Sequence, residues 1–216
     1  MSGKKTERWC MTVLLALFLA VTGFGMSPGV KAYAETQDDV SYQEASWDEP
    51  NEKVKYETKT AGSCTEVTDT DTAWGSEDNT AWYVVSQNMT LSGRITVAGT
   101  VNLILSDGAT LTAGNGITTT DATLNIYAQE AGTGQLVAET DDSSSAAAIG
   151  GKENEAGGTI SIHGGKVTAS SNGSGAGIGG GKYGNGGSVT VYGGSVTATN
   201  DGQGAGIGGG TSCIMD

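Results

Sequence analysis

The chain has 216 residues, 36 of them glycine, with 11 basic and 24 acidic side chains and a formal net charge of −13. That acidity disfavours nucleic acid as a partner. A single histidine, His163, gives no basis for placing a Ser/His/Asp or Cys/His catalytic arrangement.

Lys4, Lys5 and Arg8 precede an apolar run from Met11 to Val21, and Ala32-Tyr33-Ala34 supplies a small-residue cleavage site. Residues 1–34 therefore read as a signal peptide, and the protein as secreted or cell-surface. The run is shorter than the ~20 residues a spanning helix needs, so no transmembrane segment is expected in the mature chain. Cleavage would leave seven basic and 23 acidic side chains, a net charge of −16, with Arg94 as the one arginine. Cys64 and Cys213 would remain in an oxidising compartment. An elongated fold would hold them apart, so two free or partly buried thiols are expected.

Residues 35–53 are acidic and without sustained hydrophobic period, and read as a linker. Residues 54–81 read as an N-terminal cap or irregular segment, in which Tyr56, Val67 and Trp74 could pack on the strands beyond it. From Trp82 a period-2 signal is steady: Trp82-Tyr-Val-Val85, Val101/Leu103/Leu105, Leu124/Ile126 and Leu136/Ala138 predict short strands with one buried face.

The C-terminal part repeats. Ala147-Ala-Ile-Gly-Gly151, Gly175-Ala-Gly-Ile-Gly-Gly-Gly181 and Gly204-Ala-Gly-Ile-Gly-Gly-Gly210 place Ile149, Ile178 and Ile207 at intervals of 29 residues. The intervening segments Gly157–Ser170 and Gly186–Thr199 keep the same period. Leu124 and Ile126 align with Ile160 and Ile162 at a separation of 36, the excess falling as five residues between Ile126 and Leu136 and two between Ala138 and Ile149. A fixed period of this length predicts an all-β, right-handed parallel β-helix over residues 82–216, a solenoid with coils of about 29 residues. Alternation places Ile160, Ile162, Val167, Ala169 and Ile178 inside, and Thr159, Ser161, His163, Lys166, Thr168 and Ser170 outside. One such unit buries too little to offset its own ordering entropy, so the units fold by stacking.

The string Gly175-Ala-Gly-Ile-Gly-Gly180 satisfies the dinucleotide fingerprint, but it recurs at Gly204–Gly209 and no helix comes after either copy. The calcium nonapeptide pattern fails too, because its aspartate is missing and the period is 29 instead of nine. Turn acids, Asp141, Asp142, Glu153 and Glu155 foremost, leave a weaker reading as a Ca²⁺ site against solvated loop acids. Tyr127, His163 and Tyr192 share one outward position in successive coils and predict a ladder with rungs about 4.8 Å apart. Such a ladder either stabilises itself or offers ring surfaces to a glycan, beside the hydroxyls of Ser161, Thr168, Thr190 and Thr197.

Trp82-Tyr-Val-Val85, Gly93-Arg-Ile-Thr-Val97, Asn102-Leu-Ile-Leu-Ser-Asp-Gly108, Leu124-Asn-Ile-Tyr-Ala-Gln129 and the Gly-Ala-Gly-Ile-Gly-Gly-Gly phrase carry a resemblance. From about Cys64 to Gly210 the chain resembles the Gly-rich β-helical repeat regions of secreted surface proteins of gut Firmicutes and related bacteria. The resemblance implies a surface scaffold, some of whose bearers are labelled carbohydrate-binding, and transfers no binding residue. By the 29-residue register a Gly-Gly-x-Val/Ile strand would come after Gly210, so the reading is of a truncated copy with an uncapped last coil, open to edge pairing. The expectation is a non-enzymatic module binding a polysaccharide or host surface polymer through Tyr127, His163 and Tyr192. A structural stalk displaying a further module, or a polysaccharide lyase or hydrolase, is the alternative.

Overall fold

The computed structural model describes residues 35–141 and 143–212. Residues 1–34, read above as a signal peptide, Asp142 and Cys213 lie outside the described residues. What is described is all-β, without an α-helix, and falls within one compact unit.

Among the described residues sixteen strands succeed one another. The N-terminal three are long: β1 (Thr36–Asp48), β2 (Lys53–Glu66) and β3 (Ala73–Val85). Then come β4 (Met89–Thr90), β5 (Ile95–Leu105), β6 (Thr110–Ala113), β7 (Ile117–Thr118), β8 (Thr123–Ala128) and β9 (Gln135–Thr140). The repeats supply β10 (Ile149–Gly150), β11 (Thr159–Ile162), β12 (Lys166–Ser171), β13 (Ile178–Gly179), β14 (Ser188–Val191), β15 (Ser195–Asn200) and β16 (Ile207–Gly208).

From β3 onward every pairing between consecutive levels is parallel, in three ladders. Strands β3, β5, β8, β11 and β14 form one, and β5, β7, β10, β13 and β16 another. Strand β5 belongs to both, because Ile95 and Thr96 pair with β7 while Thr100–Leu105 pair with β8. The third ladder is a separate five-stranded sheet, β4-β6-β9-β12-β15. Register matches the sequence alignment residue for residue: Leu124 with Ile160 and Val189, Leu136 with Val167 and Val196, Ile149 with Ile178 and Ile207. The offset of 36 leaves the pairing undisturbed, because its extra residues fall in the turns after β8 and β9.

Alternation selects the core. Leu124, Ile126, Leu136, Ile149, Ile160, Ile162, Val167, Ala169 and Ile178 are all fully buried in one cluster, which Val67 and Trp74 close at the N-terminal end. Tyr56 is not with them and stays exposed. Ile117, which stands outside the alternating pattern, joins the core by pairing with Ile95 and Ile149. Close packing of levels explains the glycines. At Gly150, with φ +145°, a Cβ would sit 1.8 Å from the Gly179 carbonyl oxygen on the next level.

Residues 35–53 are not a linker. Strand β1 pairs antiparallel with β2 along its whole length, from Thr36 opposite Thr65 to Asp48 opposite Lys53. The turn Glu49–Asn51 is a short 3₁₀ segment, closed by Glu52 at φ 48°. Acid repulsion is relieved across the hairpin, where Lys59 bonds Glu44, and within β2, where Lys55 lies 2.5 Å from Glu57. The apolar residues that anchor it, Val40, Tyr42 and Ala45, are too few and unevenly spaced to form a visible period. Nor are residues 54–81 irregular, since β2 and most of β3 lie there.

Arg94 holds three levels together. Its guanidinium donates to Asn115 O and Ala147 O at 2.8 Å and to Ile117 O at 3.3 Å, and its Nε donates to Thr118 Oγ1 at 2.7 Å. Burial lowers its pKa to about 10. This guanidinium, from the one arginine among the described residues, is thereby committed to backbone oxygens and a threonine hydroxyl.

Candidate functional site

The aromatic column forms as its spacing predicts. Tyr127 lies in β8, while His163 and Tyr192 directly succeed β11 and β14, where their amides still bond the preceding level at 2.8 Å. The Tyr127 and His163 rings stack at 4.6 Å and 16°, and His163 and Tyr192 at 4.8 Å and 18°. Trp82 extends the stack on the other side of Tyr127, at 5.7 Å and 26°.

The expected open strip is corrected by the hairpin. Strand β1 lies over the column: Tyr42 meets Tyr127 edge-on at 4.8 Å and Trp82 at 4.9 Å, and the Ala45 carbonyl oxygen is 2.9 Å from His163 Nδ1. A carbonyl only accepts, so that ring proton sits on Nδ1. Tyr127 is 6 % exposed and His163 9 %, whereas Tyr192 keeps 37 %. Burial, with Glu44 and Tyr42 nearby, pushes the Tyr127 hydroxyl up to about 12. Cys64 belongs to the same covered cluster, as a free thiol raised to about 11 by burial.

Beside the column the hairpin leaves a groove of about 410 Å³. Gln43, Tyr56 and Thr58 form one wall, Gln129, Glu130 and Gly132 the other, and Gly164, Gly165 and Gly194 leave part of the lining without side chains. Those glycines belong to the His-Gly-Gly and Tyr-Gly-Gly corners that turn β11 into β12 and β14 into β15, where Gly165 and Gly194 adopt φ +77° and +84°. Tyr56 is half exposed at 51 %, and a Cβ at Gly193 would lie 2.4 Å from its hydroxyl. Gln43 Nε2 donates to Thr58 Oγ1 at 2.8 Å, and Gln129 Oε1 accepts from the Asp107 amide at 3.1 Å. The sequence carries one trace of this groove: its second wall is the five-residue excess between Ile126 and Leu136.

The turn acids Asp141 and Glu155 accept hydrogen bonds from turn residues, within their own turns and, for Glu155, from a second turn. Asp141 accepts from the Ser143 amide and hydroxyl, at 3.1 and 2.8 Å, and Glu155 from the Thr120 hydroxyl and Lys152 amide, at 2.9 and 3.2 Å. Glu153 is exposed, and Asp142 lies outside the described residues. Among the described residues no group of three or more His, Cys, Asp or Glu side chains could hold a metal ion, so the Ca²⁺ reading gains no assembled ligand set. No helix among them is long and apolar enough to cross a membrane.

No protein-family model, no curated protein and no solved structure matches the chain.

Proposed function

We propose that the chain is an exported right-handed parallel β-helix acting as a non-enzymatic module that binds a glycan or host surface polymer. The three parallel ladders support the solenoid reading, since from β6 onward the chain adds one strand to each in turn. The N-terminal signal pattern supports export. The observation that carries the binding reading is the groove between hairpin and glycine corners, together with exposed Tyr192 at the end of the column. Its volume falls in the range of small-ligand sites, roughly 300–1,000 Å³. Tyr56 offers a ring for the apolar face of a sugar, Gln43, Thr58 and Gln129 offer amide and hydroxyl partners, and the bare corners let a polymer approach the backbone.

The test is retention of the chain from Glu35 onward on insoluble and immobilised polysaccharides, with circular dichroism as the check on folding. Tyr56→Ala and Tyr192→Ala are expected to abolish retention while the protein stays folded, Tyr192→Ala costing at least the ~0.5–1.5 kcal/mol of its stack on His163. If the folded parent protein is retained on no polymer, the binding reading fails. The covered state of Tyr127 and His163 favours a second reading, a structural stalk in which the column is internal packing.

A further inference from the structure

The second wall of the groove is an insertion with a frame of its own. The later levels turn from β11 to β12 on Gly164-Gly165 and from β14 to β15 on Gly193-Gly194, whereas β8 reaches β9 through Gln129-Glu-Ala-Gly-Thr-Gly134. Asp107 holds that turn in shape. Its carboxylate accepts from the Ala131 amide at 3.0 Å and the Thr133 amide at 3.1 Å, and its own amide donates to Gln129 Oε1 at 3.1 Å. The Gly132 amide closes the turn on Gln129 O at 3.0 Å. Glu130 stands inside this frame, exposed, and its carboxylate takes no part in it: among the described residues it has neither a hydrogen bond nor an ion pair.

Charge in the groove is of one sign. Glu130 is the only acidic or basic residue among those that line it. The hairpin lysines nearest Tyr56 and Thr58 face acids instead, Lys55 with Glu57 and Lys59 with Glu44. Lys166, next in the chain after Gly165, does not line the groove.

Hydrogen-bonding capacity leans the same way. Gln43 uses its Nε2 on Thr58 Oγ1, which leaves its Oε1 as an open acceptor on the hairpin wall, and Glu130 leaves a carboxylate on the other. A protonated primary amine has three N–H donors and no acceptor, so it complements both. An anionic sugar would meet Glu130 with no cation in the lining to offset the repulsion. Gln129 Nε2 and the Tyr56 hydroxyl remain for sugar hydroxyls.

We propose, resting on the glycan reading of this groove, that it selects a glycan bearing free primary amines, with an amine paired to Glu130, Gln43 Oε1 as its second acceptor, and a sugar ring against Tyr56. The test gives the chain from Glu35 onward soluble probes at low salt: a glucosamine oligosaccharide with its amines free, its fully N-acetylated counterpart, and a galacturonate oligosaccharide, with affinities read by calorimetry. The free-amine form should bind about 5-fold more tightly than the acetylated form, the upper range for an ion pair on an exposed carboxylate, and the galacturonate form more weakly than either. Glu130→Gln should erase the amine preference and leave the affinity for the acetylated form in place. Glu139→Gln, which removes an exposed acid from β9 and changes net charge equally, should keep the preference. Tyr56→Ala should weaken both forms. Equal loss of the preference in the Glu130 and Glu139 variants overturns the proposal, because a polycation drawn to an acidic chain at large behaves that way. Equal affinity of the parent for the free-amine and acetylated forms overturns it while leaving the glycan reading intact, whereas binding of no probe and no polysaccharide by folded protein removes both.

Discussion

Two hydrophobic clusters share this molecule and are built on opposite principles. The inner one runs from Val67 to Ile178, draws on the same strand positions at each level, and contains no ionisable side chain. The outer one gathers Val40, Tyr42, Ala61, Cys64, Val84, Ile104 and Tyr127 from five strands, and the pKa values of Tyr42, Cys64 and Tyr127 are all raised by burial. A periodic interior can be extended level by level from one solution to the packing problem. The outer cluster is a single fit between a hairpin and a sheet face, and nothing else among the described residues repeats it.

That contrast predicts how each breaks. Gly150→Ala forces a side chain into a backbone conformation at φ +145° and against the Gly179 carbonyl, so a loss of about 3 kcal/mol or more is expected, read as a lowered denaturant midpoint or absent folded protein. Ile160→Ala removes a fully buried side chain from the inner cluster and should cost about 2–5 kcal/mol in one cooperative transition. Tyr42→Ala should act locally: hydrogen exchange is expected to accelerate throughout β1 and β2 while amides of β9 and β12 change by less than about 0.5 kcal/mol. Acceleration across both regions would mean that the two clusters unfold as one.

Alkali provides the mildest test. An acid whose pKa is higher in the fold stays neutral there while the unfolded chain ionises, so its stabilisation is whole below the unfolded value and is lost above it. For Cys64 the loss runs from 9.0 to about 11, and for Tyr127 from 10.0 to about 12. Melting temperature should therefore fall from pH 9 upward, with protection of the hairpin going first, and Tyr127→Phe should flatten the upper part of that decline.

The same contrast explains what the amino-acid sequence discloses. Ile149, Ile178 and Ile207 announce their pairing because stacking demands identity at one position, and the alignment of Leu124 with Ile160 survives an offset of 36 because only turns absorb the difference. The hairpin is silent because Val40, Tyr42 and Ala45 are set among acids without a period, although they bury against Trp82, Tyr127 and His163. The aromatic column is thus legible as a column, but its cover is not. The groove inherits that blindness, since Gln43, Tyr56 and Thr58 all come from the hairpin.

The uniform register has a consequence at the level of the gene. Between β11 and β16 every ladder advances by 29 residues with no bulge, so recombination that duplicates or deletes one whole period keeps the strand register of each ladder. A crossover between the levels of β8 and β11 would also remove or copy the Gln129–Gly132 turn, and with it a wall of the groove. A change of length by whole periods in the last repeats therefore keeps ladder register, whereas the strands from β1 to β8 carry the fixed, unrepeated contacts of the outer cluster.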